Sequence, residues 1–106
     1  MKKTVFLNVY KLKKDVVISE FKESVKLLND EYISKLNGYV SFDLMNDEKR
    51  GFWSDRKVFE TMEDAKAFAE NCEPNQFATK FYSFLNLSTC RSNLFTIEDS
   101  YSKENN

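Results

Sequence analysis

The chain has 106 residues, 42% of them hydrophobic and 15% aromatic, including ten Phe and five Tyr, enough apolar matter for one core and too short a chain for two. Sixteen Lys and Arg against seventeen Asp and Glu leave a formal charge of -1, so no overall pull toward nucleic acid or an anionic membrane is expected. Two Gly, one Pro and no His exclude a glycine-rich phosphate cradle, a Pro-rich segment, an imidazole base and a His-bound metal.

In Thr4–Leu12, Val5, Leu7 and Val9 alternate with Phe6, Asn8 and Tyr10, and the period of two predicts a strand, β1, apolar on both faces. Asn8, Tyr10 and Lys11 interrupt the apolar run that a signal peptide would need, and no stretch reaches the roughly 18 apolar residues of a membrane span. A cytoplasmic protein with no membrane partner is expected. After Lys13-Lys14-Asp15, the residues Ile18, Phe21, Val25, Leu28, Tyr32 and Leu36 recur at spacings of three and four. They predict one amphipathic helix, α1, stopped at Asn37-Gly38.

Tyr39–Met45 sets Val40, Phe42 and Leu44 against Tyr39, Ser41 and Asp43, predicting β2. The polar turn Asn46–Arg50 leads into Gly51–Glu60, predicted as β3 of a hairpin. Thr61 stands three residues before Asp64, the spacing of a capping box, so α2 starts at Met62 with Ala65, Phe68, Ala69 and Cys72 on its apolar face. Glu73-Pro74-Asn75 interrupts it, and Gln76–Leu87 is predicted as α3 with Phe77, Phe81, Phe84 and Leu85 on its stripe. Ser88–Ser92 reads as a loop, Leu94–Tyr101 as β4, and 102–106 as a frayed tail beyond a single domain over 1–101.

The order βαββα(α)β is that of a ferredoxin-like α+β domain, a four-stranded antiparallel sheet with its helices on one face. The helices can cover only one face, yet β1, β2 and β4 carry apolar residues on both. A second copy of the chain, sheet against sheet, is the expected cover, and a homodimer is predicted. Cys72 and Cys90 are too few for a disulfide framework or a zinc site and read as idle thiols.

The element order, Phe6-Leu7-Asn8-Val9-Tyr10 in β1, Gly38-Tyr39-Val40 at the start of β2, and the run from Phe52-Trp53-Ser54-Asp55 through Glu63-Asp64-Ala65 to Phe68 together resemble the dimeric α+β barrel superfamily of antibiotic-biosynthesis-monooxygenase-like proteins. In the haem-degrading relatives an Asn of the first strand, a Trp at the end of the third and a His on the following helix work together. Asn8 matches the first; Phe59 stands in place of the Trp, and there is no His, so imidazole ligation of haem iron is impossible. The resemblance instead implies a cofactor-independent monooxygenase, whose aromatic or quinol-like substrate reacts with oxygen in its own deprotonated form. The site it implies has Asn8 and Tyr10 as catalytic groups and Phe6, Tyr39, Trp53, Phe59 and Phe81 around the substrate, with no metal and no cofactor. The alternative is a non-catalytic ligand-binding or structural dimer of the same fold.

The residues themselves leave these roles open. The Asn8 amide needs hydrogen-bond partners that a ligand, a backbone edge or the second copy could supply, and Trp53 suits a core as well as a substrate wall. Asp55 reads as half of a surface pair with Arg56 or Lys57. Whether the β1 face of Phe6, Asn8 and Tyr10 coincides with the β3 face of Trp53, Asp55, Lys57 and Phe59 depends on register.

Overall fold

Strand β1 (Thr4–Leu12) lies inside the sheet, flanked by β3 (Phe52–Phe59) and β4 (Leu85–Thr96), with β2 (Tyr39–Asp47) outside β3. All three ladders are antiparallel, in the order β2-β3-β1-β4. The computed structural model describes residues 2–103; of the expected tail, 104–106 lie outside the described residues. Helices α1 (Ile18–Glu31), α2 (Met62–Ala69) and α3 (Gln76–Tyr82) complete the ferredoxin-like order. Among the described residues no helix is long and apolar enough to cross a membrane.

The core joins Tyr10 of β1 to Phe21, Val25 and Leu28 of α1, to Ile33, and to Phe81, Phe84 and Leu85. Phe21 is its hub. Its ring meets Trp53 at 5.2 Å, Phe81 at 6.0 Å and Phe84 at 6.0 Å between centroids, within the range of favourable ring pairs. Helix α1 ends earlier than its stripe predicts. Residues Ile33–Lys35 tighten into a 3-10 turn, which turns Ile33 fully into the core and leads the chain to Gly38, whose φ of +78° suits glycine. The predicted cap of α2 forms, with Thr61 Oγ1 accepting from the Asp64 backbone N–H at 3.0 Å. At α3 the Asn75 side chain plays the same part, accepting from Phe77 and Ala78 N–H at 3.0 Å each.

Three boundaries shift, the first two because strand pairing overrides helical periodicity. Helix α3 stops at Tyr82 rather than Leu87, since Phe84 O accepts from Lys13 N–H at 2.9 Å and Leu85 pairs with Leu12. Strand β4 therefore begins at Leu85 rather than Leu94 and ends at Thr96 rather than Tyr101. The predicted loop Ser88–Ser92 is its irregular middle: between the pairs Val9↔Arg91 and Lys11↔Asn86 the register slips, and Thr89 Oγ1 accepts from Lys11 N–H at 2.9 Å.

Strand β2 carries a further irregularity between Tyr39 and Ser41. It places Tyr39 with Phe42 and Leu44 against the core and leaves Val40 outward, correcting the simple alternation that put Val40 with Phe42. The helix-free face is then formed by Val5, Leu7, Val9, Ser54, Arg56, Val58, Met45 and Phe95. Phe95 is 51% exposed, Met45 40% and Val40 37%.

Candidate ligand pocket

Antiparallel register fixes which side chains share the helix-covered face. Asn8 pairs with Asp55, Phe6 with Lys57, Tyr10 with Trp53 and Thr4 with Phe59, so the two faces whose relation the sequence left open are one face. Phe42 and Leu44 of β2 flank Lys57 and Asp55 on the other side. Two charged residues are thus carried into a face rich in rings.

Asp55 is 0% and Lys57 2% exposed, so the expected surface pair is instead an interior one. Lys57 Nζ bonds Asp55 Oδ1, and the same oxygen accepts from Asn8 Nδ2 at 2.9 Å. Ser92 Oγ in turn donates to Asn8 Oδ1. A chain of polar contacts runs from the edge strand β4 through β1 to β3 and ends at the lysine. Burial of a charge demands such pairing. The Lys57 ammonium also lies over three rings, at 4.9 Å from the Phe42 centroid, 5.6 Å from Phe6 and 5.7 Å from Phe68, an aromatic cage in which the cation faces the negative face of each ring.

Lys57 lines a cavity of about 230 Å³ between the sheet and the three helices. Phe6 and Phe68 wall it beside the lysine, Tyr32 just after α1 and Phe81 of α3 close it, and Asn71–Asn75 between α2 and α3 forms its rim. Exposed Cys72 is on that rim; Cys90, half-buried, is not, and both thiols are free.

Of the residues singled out from sequence, Phe6 and Phe81 line this cavity. The others do not. Asn8 is tied up in the Asp55 and Ser92 contacts, one residue behind the lysine. The Tyr10 ring packs edge-on against Phe21 and Phe81 in the core. Among the described residues its hydroxyl and Asp55 Oδ2 are both buried without a partner at full hydrogen-bond geometry, and the Asp55 carboxylate lies beside the hydroxyl; burial first, and that carboxylate second, push the Tyr10 phenol well above the ordinary tyrosine range. Tyr39 donates its hydroxyl to Asn29 Oδ1 at 2.9 Å and ties β2 to α1. Phe59 is fully buried and stacks on Phe68 at 5.7 Å, and Trp53 is an edge-on neighbour of Phe21.

Sequence reasoning missed Lys57, Phe68 and Tyr32. The signal for Lys57 was the alternation Trp53, Asp55, Lys57, Phe59: rings that must be buried take the charges between them along.

No protein-family model matches the chain, and no curated protein matches it by sequence. Solved structures do. The chain has the ferredoxin-like fold shared by antibiotic-biosynthesis-monooxygenase-like proteins. It is similar to SnoaB, a cofactor-independent oxygenase from Streptomyces nogalater, with a TM-score of 0.75 at 13% identity over 97% of this chain and 100% of the other. A candidate antibiotic biosynthesis monooxygenase from Nitrosomonas europaea superposes with a TM-score of 0.69 at 16% identity, covering 91% and 90%. A dimeric ferredoxin-like protein of unknown function from Jannaschia does so with a TM-score of 0.69 at 11% identity, covering 90% and 99%.

Proposed function

We propose that the protein is a homodimer that binds a small aromatic or quinol-like molecule between sheet and helices and oxidises it as a cofactor-independent monooxygenase. The observation that carries this reading is the ring-walled cavity with a single buried ammonium on its sheet side. Rings hold a planar ligand, and one polar anchor orients it. In such a reaction dioxygen is the oxidant and the deprotonated substrate supplies all four electrons: a phenol loses its O–H hydrogen and one ring C–H hydrogen on becoming a quinone, one oxygen atom forms the new C=O, and the other leaves with those two hydrogens as water. Phe6 and Phe81 contact the ligand, while Asn8 acts from behind by holding Asp55 and, through it, Lys57. Tyr10 stays a protonated phenol and serves the core. The Jannaschia protein of this fold is dimeric, and the exposed Phe95, Met45 and Val40 are the apolar surface a second copy would cover.

A second reading, a binding or structural dimer without catalysis, is favoured by one observation: Asn8 and Tyr10 are absorbed into the interior, and among the described residues the one carboxylate on the cavity lining, Glu73, sits at its rim. Oxygen uptake in chelator-treated buffer separates the two. Monocyclic and bicyclic phenols and hydroquinones should consume oxygen above the buffer rate, and isotopically labelled dioxygen should leave one labelled atom in the product. Binding of those compounds without uptake would establish the second reading.

A further inference from the structure

We infer that Lys57 selects the ligand: the cavity takes a neutral compound of one or two fused rings whose carbonyl-type acceptor oxygen receives a hydrogen bond from the Lys57 ammonium. The inference rests on the ligand pocket proposed above and not on its oxygen chemistry.

An ammonium has three N–H donors and no acceptor. Among the described residues Lys57 Nζ has one oxygen partner, Asp55 Oδ1, and its remaining donors meet the faces of Phe42, Phe6 and Phe68. Ring faces attract a cation but are poorer hydrogen-bond acceptors than oxygen. An acceptor oxygen entering the cavity therefore gains a charge-assisted bond to an ammonium otherwise surrounded by rings. The lysine is held ready by Asp55, which Asn8 fixes at 2.9 Å, with Ser92 fixing Asn8; these three are positioning residues.

Charge balance decides the ionisation in which the ligand enters; in the proposed oxygen chemistry its deprotonation follows binding. The buried Lys57 and Asp55 already neutralise each other, and the other charged group on the cavity lining is Glu73 at the rim. A carboxylate would have to give up hydration to lie beside the buried Asp55 carboxylate, which costs more than its hydrogen bond to Lys57 returns. Size comes from volume. A cavity of about 150 Å³ accepts a benzene, so 230 Å³ accommodates one ring or a fused pair.

The test titrates the full chain, observed by NMR, with three probes of similar size: tetralone, its hydrocarbon tetralin, and naphthoate. Tetralone should bind about tenfold tighter than tetralin, equivalent to ~1.4 kcal/mol, and tighter than naphthoate, with shifts at Phe6, Phe68 and Phe81. In Lys57→Met the preference for tetralone over tetralin should vanish while tetralin binds as before. Should that variant not fold, Asp55→Asn combined with Lys57→Met, which leaves no unpaired charge, should give the same result. Equal binding of tetralone and tetralin by the unaltered protein, a preference surviving the loss of Lys57, or tighter binding of naphthoate would each overturn the inference. If no probe shifts the pocket residues at millimolar concentration, the ligand pocket falls and the inference with it. A tetralone preference without any oxygen uptake would uphold the inference and reject the oxygenase.

Discussion

Replacing Lys57 by Met keeps most of the side-chain length and removes a charge from the interior. The effect depends on where the pair sits. Exposed ion pairs contribute about 0.2–1 kcal/mol, whereas removing one partner of a buried pair costs about 3–5 kcal/mol, because the other charge stays behind unsolvated. Asp55 has no exposed surface and Lys57 almost none, so the larger range applies. A domain of this size has about 5–15 kcal/mol in total, and each kcal/mol moves the melting temperature by about 4–8 °C; Lys57→Met should melt at least ~12 °C lower. Asp55→Asn strands the ammonium and should cost a similar amount. The double variant leaves no lone charge and keeps an acceptor for Asn8, so it should recover most of the loss, with a coupling of at least ~2 kcal/mol. Urea unfolding followed by far-UV circular dichroism measures all four proteins. A Lys57→Met loss below about 1 kcal/mol, additive with Asp55→Asn, would place the pair at the surface and refute the interior network.

Tyr10 makes stability fall at alkaline pH. Its folded-state proton is held above the ordinary value of 10.0, so the contribution is complete below that value and is lost as pH rises past it, where only the unfolded chain ionises. Between about pH 9 and pH 11 the protein should lose about 1.4 kcal/mol more than Tyr10→Phe, and equal losses in denaturant titrations would contradict this. Gly38 and Gly51 both have positive φ, +78° and +74°, but a Cβ on Gly38 would lie 2.2 Å from Asp64 Oδ2 and 2.9 Å from Asp64 Cβ, while one on Gly51 meets nothing within 4 Å. Gly51→Ala should cost about 1–2 kcal/mol for the backbone alone, and Gly38→Ala at least ~1 kcal/mol more for the overlap; equal costs in thermal unfolding would mean that Asp64 moves aside freely. Phe95→Glu on the helix-free face should turn a concentration-dependent dimer into a monomer in sedimentation without altering the circular dichroism, and an unchanged sedimentation coefficient would exclude that face as the interface.

Where periodicity and chemistry agreed, the fold could be read directly. Strand β1, the β2–β3 hairpin and the Thr61 cap of α2 follow from alternation and from one hydroxyl placed three residues before an acid. Strand β4 could not be read in this way. Its first half, Leu85–Cys90, is an edge that pairs only with β1, so nothing requires alternating apolar residues there, and Asn86, Ser88 and Thr89 resemble a loop. The end of α3 was hidden for the converse reason: Phe84 and Leu85 fit a helical stripe and are both buried, but the backbone there bonds to Lys13 and pairs with Leu12 of β1, and that pairing lies outside local sequence.

The candidate site shows the same division between what a strand pattern states and what register adds. Phe6 and Phe81 can be recognised as apolar groups of the layer between sheet and helices, but the strand pattern leaves the partner of the Asn8 amide open among a ligand, a backbone edge and a second copy. The register gives Asn8 a partner within the sheet, Asp55 directly opposite. That satisfies the amide and moves the unmet hydrogen-bonding capacity two residues along β3, to a lysine whose other donors point at rings. The polar group available to a ligand is thus the end of the network rather than its middle. A substitution of Asn8 should therefore act on ligand binding only through the position of Lys57, weakening acceptor-bearing probes and leaving hydrocarbon probes unaffected.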